Sequence, residues 1–106
     1  MFFTPALRQC RITLFTRTNC GLCDSARNVL AQVQTTRAFE LQQVNLSAAG
    51  TQAWKDLYDF DVPVIHIAKA GASNETPQGA AKAVKLMHRM TAAEVEAKMD
   101  VVEAQK

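Results

Sequence analysis

The chain has 106 residues, 48% of them apolar and 21% charged, with a formal net charge of +2, values ordinary for a single globular domain that can bury a core without disulfide staples. No apolar run approaches the roughly 20 residues that a membrane-spanning helix requires, and no basic run is interleaved with aromatics, so neither a membrane nor a nucleic acid is expected as a partner. Three cysteines do not make the even-count framework of a secreted disulfide scaffold, which points to a reducing compartment, the cytoplasm first.

Met1 to Arg11 carries Arg8, Arg11, Phe2, Phe3 and Leu7 and no acid, a composition shared with mitochondrial presequences, and it makes the mitochondrial matrix the alternative compartment. Residues 12–16 (Ile-Thr-Leu-Phe-Thr) read as a short strand, with Cys10 just before it as a small residue of no chemical role. Then comes Cys20-Gly21-Leu22-Cys23. Two thiols three residues apart at a strand-to-helix junction can cycle between dithiol and disulfide. If a helix begins near Gly21, Cys20 takes the N-cap region, where unpaired backbone N–H groups and the positive end of the helix dipole stabilise a thiolate. Thiols in such places titrate in a range of about 3.5–7.5 instead of near 8.5. Cys23, one turn on and more covered, is close enough to resolve what Cys20 attacks. Arg17, three residues before Cys20, adds a positive charge on the approach.

Leu22, Ala26, Val29, Leu30 and Val33 recur at helical spacing and predict a helix over 21–34, with Arg27, Asn28 and Gln32 toward water. Residues 39–46 supply a second strand. Ser47 is placed to cap a second helix over 48–59, whose apolar pairs are Ala53/Trp54 and Leu57/Tyr58. Trp54 is read as packing. Residues 62–67 (Val-Pro-Val-Ile-His-Ile) form a third strand with a proline near its start, in which His66 is one side of the strand and not a base. Residues 69–82 are small, polar and Gly/Pro-bearing and read as a long mobile inserted loop. Residues 83–88 give a fourth strand, antiparallel to the third. Thr91 and Glu94 form a capping box for a last helix, with Met90 and Val95 as its hydrophobic staple and Ala92, Val95, Met99 and Val102 as its buried stripe. Charge is uneven: residues 1–37 sum to +4 and residues 38–106 to −2. The cysteine end is the basic end, which suits an anionic thiol or an acidic partner surface. A zinc site is not expected, because His66 and His88 stand in different strands without ligand spacing.

The order β-α-β-α-β-β-α, with Cys-x-x-Cys at the first strand-helix junction and Val-Pro at the third strand, resembles the thioredoxin-like fold, an α/β class with a four-stranded mixed sheet and flanking helices. Within it the chain resembles the compact glutaredoxin-like proteins whose opening reads strand, Arg, two residues, Cys-x-Leu-Cys-Asp. The resemblance runs from about 11 to 104 of a single domain, 1–106, and rests on Arg17, Cys20, Leu22, Cys23, Asp24 and Asp61-Val62-Pro63-Val64. It implies a thiol-disulfide oxidoreductase with Cys20 and Cys23 catalytic. It further implies that Pro63 is cis and lies against the dithiol, that the Val62 backbone pairs with the substrate's cysteine, and that Arg17 and Leu22 belong to a substrate or glutathione site. No tightly bound cofactor is expected, with glutathione as co-substrate. Two positions depart from the glutathione-binding pattern: His88-Arg89-Met90-Thr91 stands where Gly-Gly and an acid would, and Leu22 replaces an aromatic. The expected partner is a disulfide-containing protein or a glutathione mixed disulfide, met by a monomer. The alternative is a non-catalytic binding subunit of a larger assembly, docking by its cysteine end or its 69–82 loop.

Overall fold

The computed structural model describes residues 10–105; the presequence-like stretch falls almost wholly outside them. In chain order the elements are β1 (Cys10–Thr16), α1 (Gly21–Gln34), β2 (Glu40–Asn45), α2 (Gln52–Tyr58), β3 (Val64–Lys69), a 3₁₀ turn (Pro77–Lys82), β4 (Val84–Met87) and α3 (Ala92–Ala104). The four strands make one sheet in the order β2-β1-β3-β4. β1 runs parallel to β2 and antiparallel to β3, and β3 is antiparallel to β4. This is the thioredoxin-like α/β architecture.

β1 explains the layering. It is buried along its whole length, so successive side chains enter two different cores. Cys10, Ile12 and Leu14 join Ala26, Leu30 and Val33 of α1, Ile65 and Ile67 of β3, and Val95, Met99 and Val102 of α3 in one cluster. Phe15 points the other way, into a second cluster with Cys23, Leu46, Tyr58, Val62, Val64 and Ala80. The first cluster holds α1 and α3 against the sheet. The second is roofed by α2 and the 3₁₀ turn.

α1 and the capping box of α3 form as the sequence predicts, with Thr91 accepting from the Glu94 N–H and the Glu94 carboxylate accepting from the Thr91 N–H. Four elements differ. β1 starts at Cys10, inside the strand and not ahead of it, two residues before the expected Ile12. α2 starts at Gln52 with Thr51 as its N-cap, not at 48 behind Ser47. Gly50 takes φ +84, which a helix does not allow, and the Ser47 hydroxyl accepts from the Thr18 N–H at 3.2 Å instead. β3 begins at Val64, so Val62-Pro63 stands ahead of the strand. The 69–82 segment, expected as a long mobile loop, is bonded to two strand residues and ends in the 3₁₀ turn. Arg11 donates to the Ala72 and Ser73 carbonyls at 2.8 and 2.9 Å and to Glu75 Oε2 at 2.6 Å. His66 Nδ1 lies 2.8 Å from Glu75 Oε1. Thr76 then caps the 3₁₀ turn by accepting from the Gly79 N–H. No helix among the described residues is long and apolar enough to cross a membrane.

Candidate active site

Leaving β1, the chain turns through Asn19 at φ +58, a left-handed conformation that asparagine tolerates. Asn45 Nδ2 donates to Thr18 Oγ1 at 3.4 Å and, with the Ser47 contact, fixes this turn to the end of β2. The turn delivers Cys20 to the N-cap of α1 in extended conformation, where its Sγ accepts from the Cys23 N–H at 3.2 Å. A sulfur here satisfies one of the orphan donors of the helix start, as a capping oxygen would.

Cys20 and Cys23 are joined as a disulfide, with Cα atoms 5.2 Å apart. Their surroundings are unequal. Cys23 is fully buried against the Phe15, Leu46, Tyr58 and Val62 cluster, whereas Cys20 is half-buried at its margin. A disulfide sulfur reached from outside must therefore be approached at Cys20, and a thiol at Cys23 meets solvent only past Cys20.

Val62-Pro63 is a cis peptide, and Val62 packs into the same cluster as Cys23. The Pro63 carbonyl accepts from the His88 N–H at 2.7 Å. His88 sits at φ +63 with its ring nitrogen 3.6 Å from Asp61 Oδ1. Leu22 opens onto a recess of about 140 Å³ shared with Ser25, Ala26, His88, Arg89 and Met90. The stretch that departs from the glutathione-binding pattern thus lies beside the dithiol's own loop.

Arg17 is placed differently from a lone charge on the approach. Its Nη1 donates to the Asp59 carbonyl at 3.0 Å and stands 3.4 Å from Asp59 Oδ1. Asp59 shares its charge, and the side chain ties the pre-cysteine turn to the end of α2. Sequence reasoning missed Asp59, because it belongs to no local pattern and lies 42 residues from its partner; it singled out His88 only as part of the departing 88–91 stretch and did not foresee its bond to Pro63. His66 is a buried relay member, its Nε2 2.6 Å from the Tyr58 hydroxyl. Trp54 packs with its ring centroid 4.5 Å from that of Phe15.

A four-stranded mixed sheet with a Cys-x-x-Cys at its first strand-helix junction and a cis-proline before β3 is a thioredoxin-fold site. Residues 11–100 match the model of the family described as Glutaredoxin-like domain (DUF836), and the chain belongs to that family. Among solved structures it is similar to the structural-genomics target XcR50 from X. campestris, with 26% identity and a TM-score of 0.59 over 85% of this chain and 96% of that one. It is also similar to a chloroplastic thioredoxin z, with 18% identity and a TM-score of 0.64 over 94% and 83% of the two chains. Thioredoxin O2 from Arabidopsis thaliana in its oxidised state matches at 15% identity and a TM-score of 0.61 over 92% and 80%. Family and fold together support a redox-type function.

Proposed function

We propose that this protein is a thiol-disulfide oxidoreductase in which Cys20 is the nucleophile and Cys23 the resolving thiol. The observation that carries this reading is the inequality of the two sulfurs: one half-exposed at a helix N-cap, the other buried directly behind it. In the reduced protein the Cys20 thiolate attacks one sulfur of a substrate disulfide, forms a mixed disulfide and expels the other sulfur as a thiolate. Cys23, losing its proton, attacks Cys20 Sγ, closes the Cys20–Cys23 disulfide and releases the second substrate thiolate. Two electrons pass from the dithiol to the substrate, and the two protons of the dithiol balance the two product thiols. A dithiol reductant, dithiothreitol in the assay, returns the protein to its starting state. Glutathione and a thioredoxin reductase are the two candidate donors in the cell.

The test is turnover of hydroxyethyl disulfide by the wild-type chain, Cys20→Ser and Cys23→Ser. The expected result is loss of at least about a hundredfold in Cys20→Ser, and, when Cys23→Ser is reduced, freed of dithiothreitol and then given hydroxyethyl disulfide, a covalent adduct retained and seen by intact mass, because the resolving thiol is gone. The midpoint potential is expected between roughly −200 and −270 mV, the span of glutaredoxins and thioredoxin. Full activity in Cys20→Ser would refute the assignment.

A further inference from the structure

Among the described residues, two other than glycine take left-handed backbone angles, Asn19 at φ +58 and His88 at φ +63. Asn19 stands directly before Cys20, and asparagine tolerates such an angle. At His88 a glycine would take the same angle without steric cost, so a histidine kept there points to work done by its side chain. The residue reaches three places. Its N–H donates to the Pro63 carbonyl at 2.7 Å. Its ring Nε2 faces Asp61 Oδ1 at 3.6 Å. It also walls the recess onto which Leu22, the residue after Gly21 in the Cys-x-x-Cys, opens from the first turn of α1. His88 therefore meets both ends of Asp61-Val62-Pro63 and stands between that segment and the helix that carries the dithiol. Val62, in the middle of the segment, is buried, yet its N–H and carbonyl have no hydrogen-bond partner among the described residues. Buried backbone groups are ordinarily paired.

We propose that His88 is a positioning residue: its ring holds Asp61-Val62-Pro63 in place beside the dithiol, so that the unpaired Val62 backbone meets an extended peptide whose disulfide Cys20 attacks. The proposal rests on the oxidoreductase reading and names how a peptide substrate is favoured over a small disulfide. The backbone bond to Pro63 survives replacement of the side chain, so the ring's own part lies at the Asp61 end of the segment and in the wall of the recess. An exposed pair such as His88 and Asp61 is worth about threefold in an equilibrium constant. That biases a short segment without carrying the fold. An extended peptide adds to free backbone groups as a further strand would, and it binds better when the segment it joins is already ordered. A disulfide without peptide bonds gains nothing from that order.

The experiment follows release of thionitrobenzoate from two mixed disulfides by reduced protein freed of dithiothreitol. One is formed with a short, end-blocked alanine peptide carrying a central cysteine. The other is formed with 2-mercaptoethanol, which shares the leaving group and has no peptide bonds. Wild type, His88→Gly, His88→Asn, Asp61→Asn and the double variant His88→Gly/Asp61→Asn are compared by the ratio of the peptide rate constant to the short one. The ratio is expected to fall about threefold in His88→Gly, with a thermal midpoint no lower than wild type, because glycine suits the left-handed angle. His88→Asn tolerates that angle and keeps a side-chain donor, and is expected to recover at least half of the loss. Asp61→Asn is expected to match His88→Gly, and the double variant to fall no further, since the two side chains act as one contact. An unchanged ratio in His88→Gly overturns the proposal, whether both rates hold or both fall together. A double variant that loses the product of the two single losses overturns it as well, because the ring would then not act through Asp61. A lowered ratio with a lowered thermal midpoint makes the ring a general support of the fold and also overturns it. Wild type no faster than Cys20→Ser on the short disulfide refutes the oxidoreductase reading, and the proposal falls with it.

Discussion

Cys10 and Cys20 carry the same thiol in opposite settings. Cys10 is fully buried beside α3, its Sγ 3.5 Å from Glu103 Oε2 and 3.8 Å from the Met99 carbonyl. Burial first, and then the Glu103 carboxylate, push this thiol up to about 12. At pH 8 Cys10 is then held as the thiol, and only the thiolate alkylates. Cys20 has the opposite surroundings, a helix N-terminus and partial exposure. Brief treatment of the reduced, folded protein with iodoacetamide at pH 8 is therefore expected to add one carbamidomethyl group, at Cys20, with Cys10 labelled only after denaturation; peptide mass mapping reads the positions. Rapid labelling of Cys10 in the folded chain would contradict its placement. The N-cap position of Cys20 was legible from local spacing, because strand, cap and helix lie within a dozen residues. The sharing of the Arg17 charge by Asp59 was not, because that contact is made by the fold and has no local signature.

At the scale of elements, the segment between β3 and β4 depends on a polar chain that crosses the second core. Tyr58, His66, Glu75 and Arg11 follow one another at 2.6, 2.8 and 2.6 Å, from α2 through β3 and the 72–76 stretch to β1. Composition alone made 69–82 a free loop, since its residues are small or polar and include Gly and Pro. The missed signal was in the strands. Arg11 and His66 each sit between apolar neighbours in a strand buried on both faces, and a charge or ring nitrogen in such a place must find a partner. Removing one member of a buried pair leaves the other uncompensated, so Glu75→Ala is expected to cost about 3 kcal/mol, read from urea unfolding. The chain also sets a pH dependence. Burial lowers the His66 pKa from 6.5, against the raising effect of the Glu75 hydrogen bond and charge, and Lys85 adds to the lowering. Neutral His66 is well served, with Nε2 accepting from the Tyr58 hydroxyl and Nδ1–H donating to Glu75. The unfolded chain takes up a proton near pH 6.5 while the folded one resists it, so the unfolded state binds more protons and stability falls with pH below that point. The urea midpoint is expected to drop between pH 7.5 and 5.5, and His66→Gln to flatten the drop. An identical slope in the variant would assign the dependence to other groups.

For the molecule as a whole, the consequence of burying β1 on both faces is that one strand couples two cores with different duties. Its sequence, Cys-Arg-Ile-Thr-Leu-Phe-Thr, alternates apolar and polar from Cys10 to Leu14 and breaks at Phe15, so the strand was legible while the burial of its polar face in a second layer was not. That burial follows from which helices cover each face, a property of the closed sheet. Ile12 belongs to the α1/α3 layer and does not share a cluster with either cysteine of the disulfide, whereas Phe15 shares one with Cys23 and borders Cys20. Ile12→Val and Phe15→Leu each remove volume from a fully buried position, and each is expected to cost about 1 kcal/mol of stability. If the second core only held the fold together, the two variants would be indistinguishable in redox behaviour as well. Because the Cys23 sulfur packs within the Phe15 cluster, loosening that cluster changes how well the buried thiol and the disulfide are each accommodated, and a difference of that kind appears directly as potential, about 30 mV for 1.4 kcal/mol. Equilibration against a dithiothreitol redox buffer is expected to leave the Ile12→Val midpoint at the wild-type value and to move that of Phe15→Leu by on the order of 10 mV. Equal midpoints in all three proteins, at equal cost in stability, would mean that the dithiol is insulated from the layer it sits in.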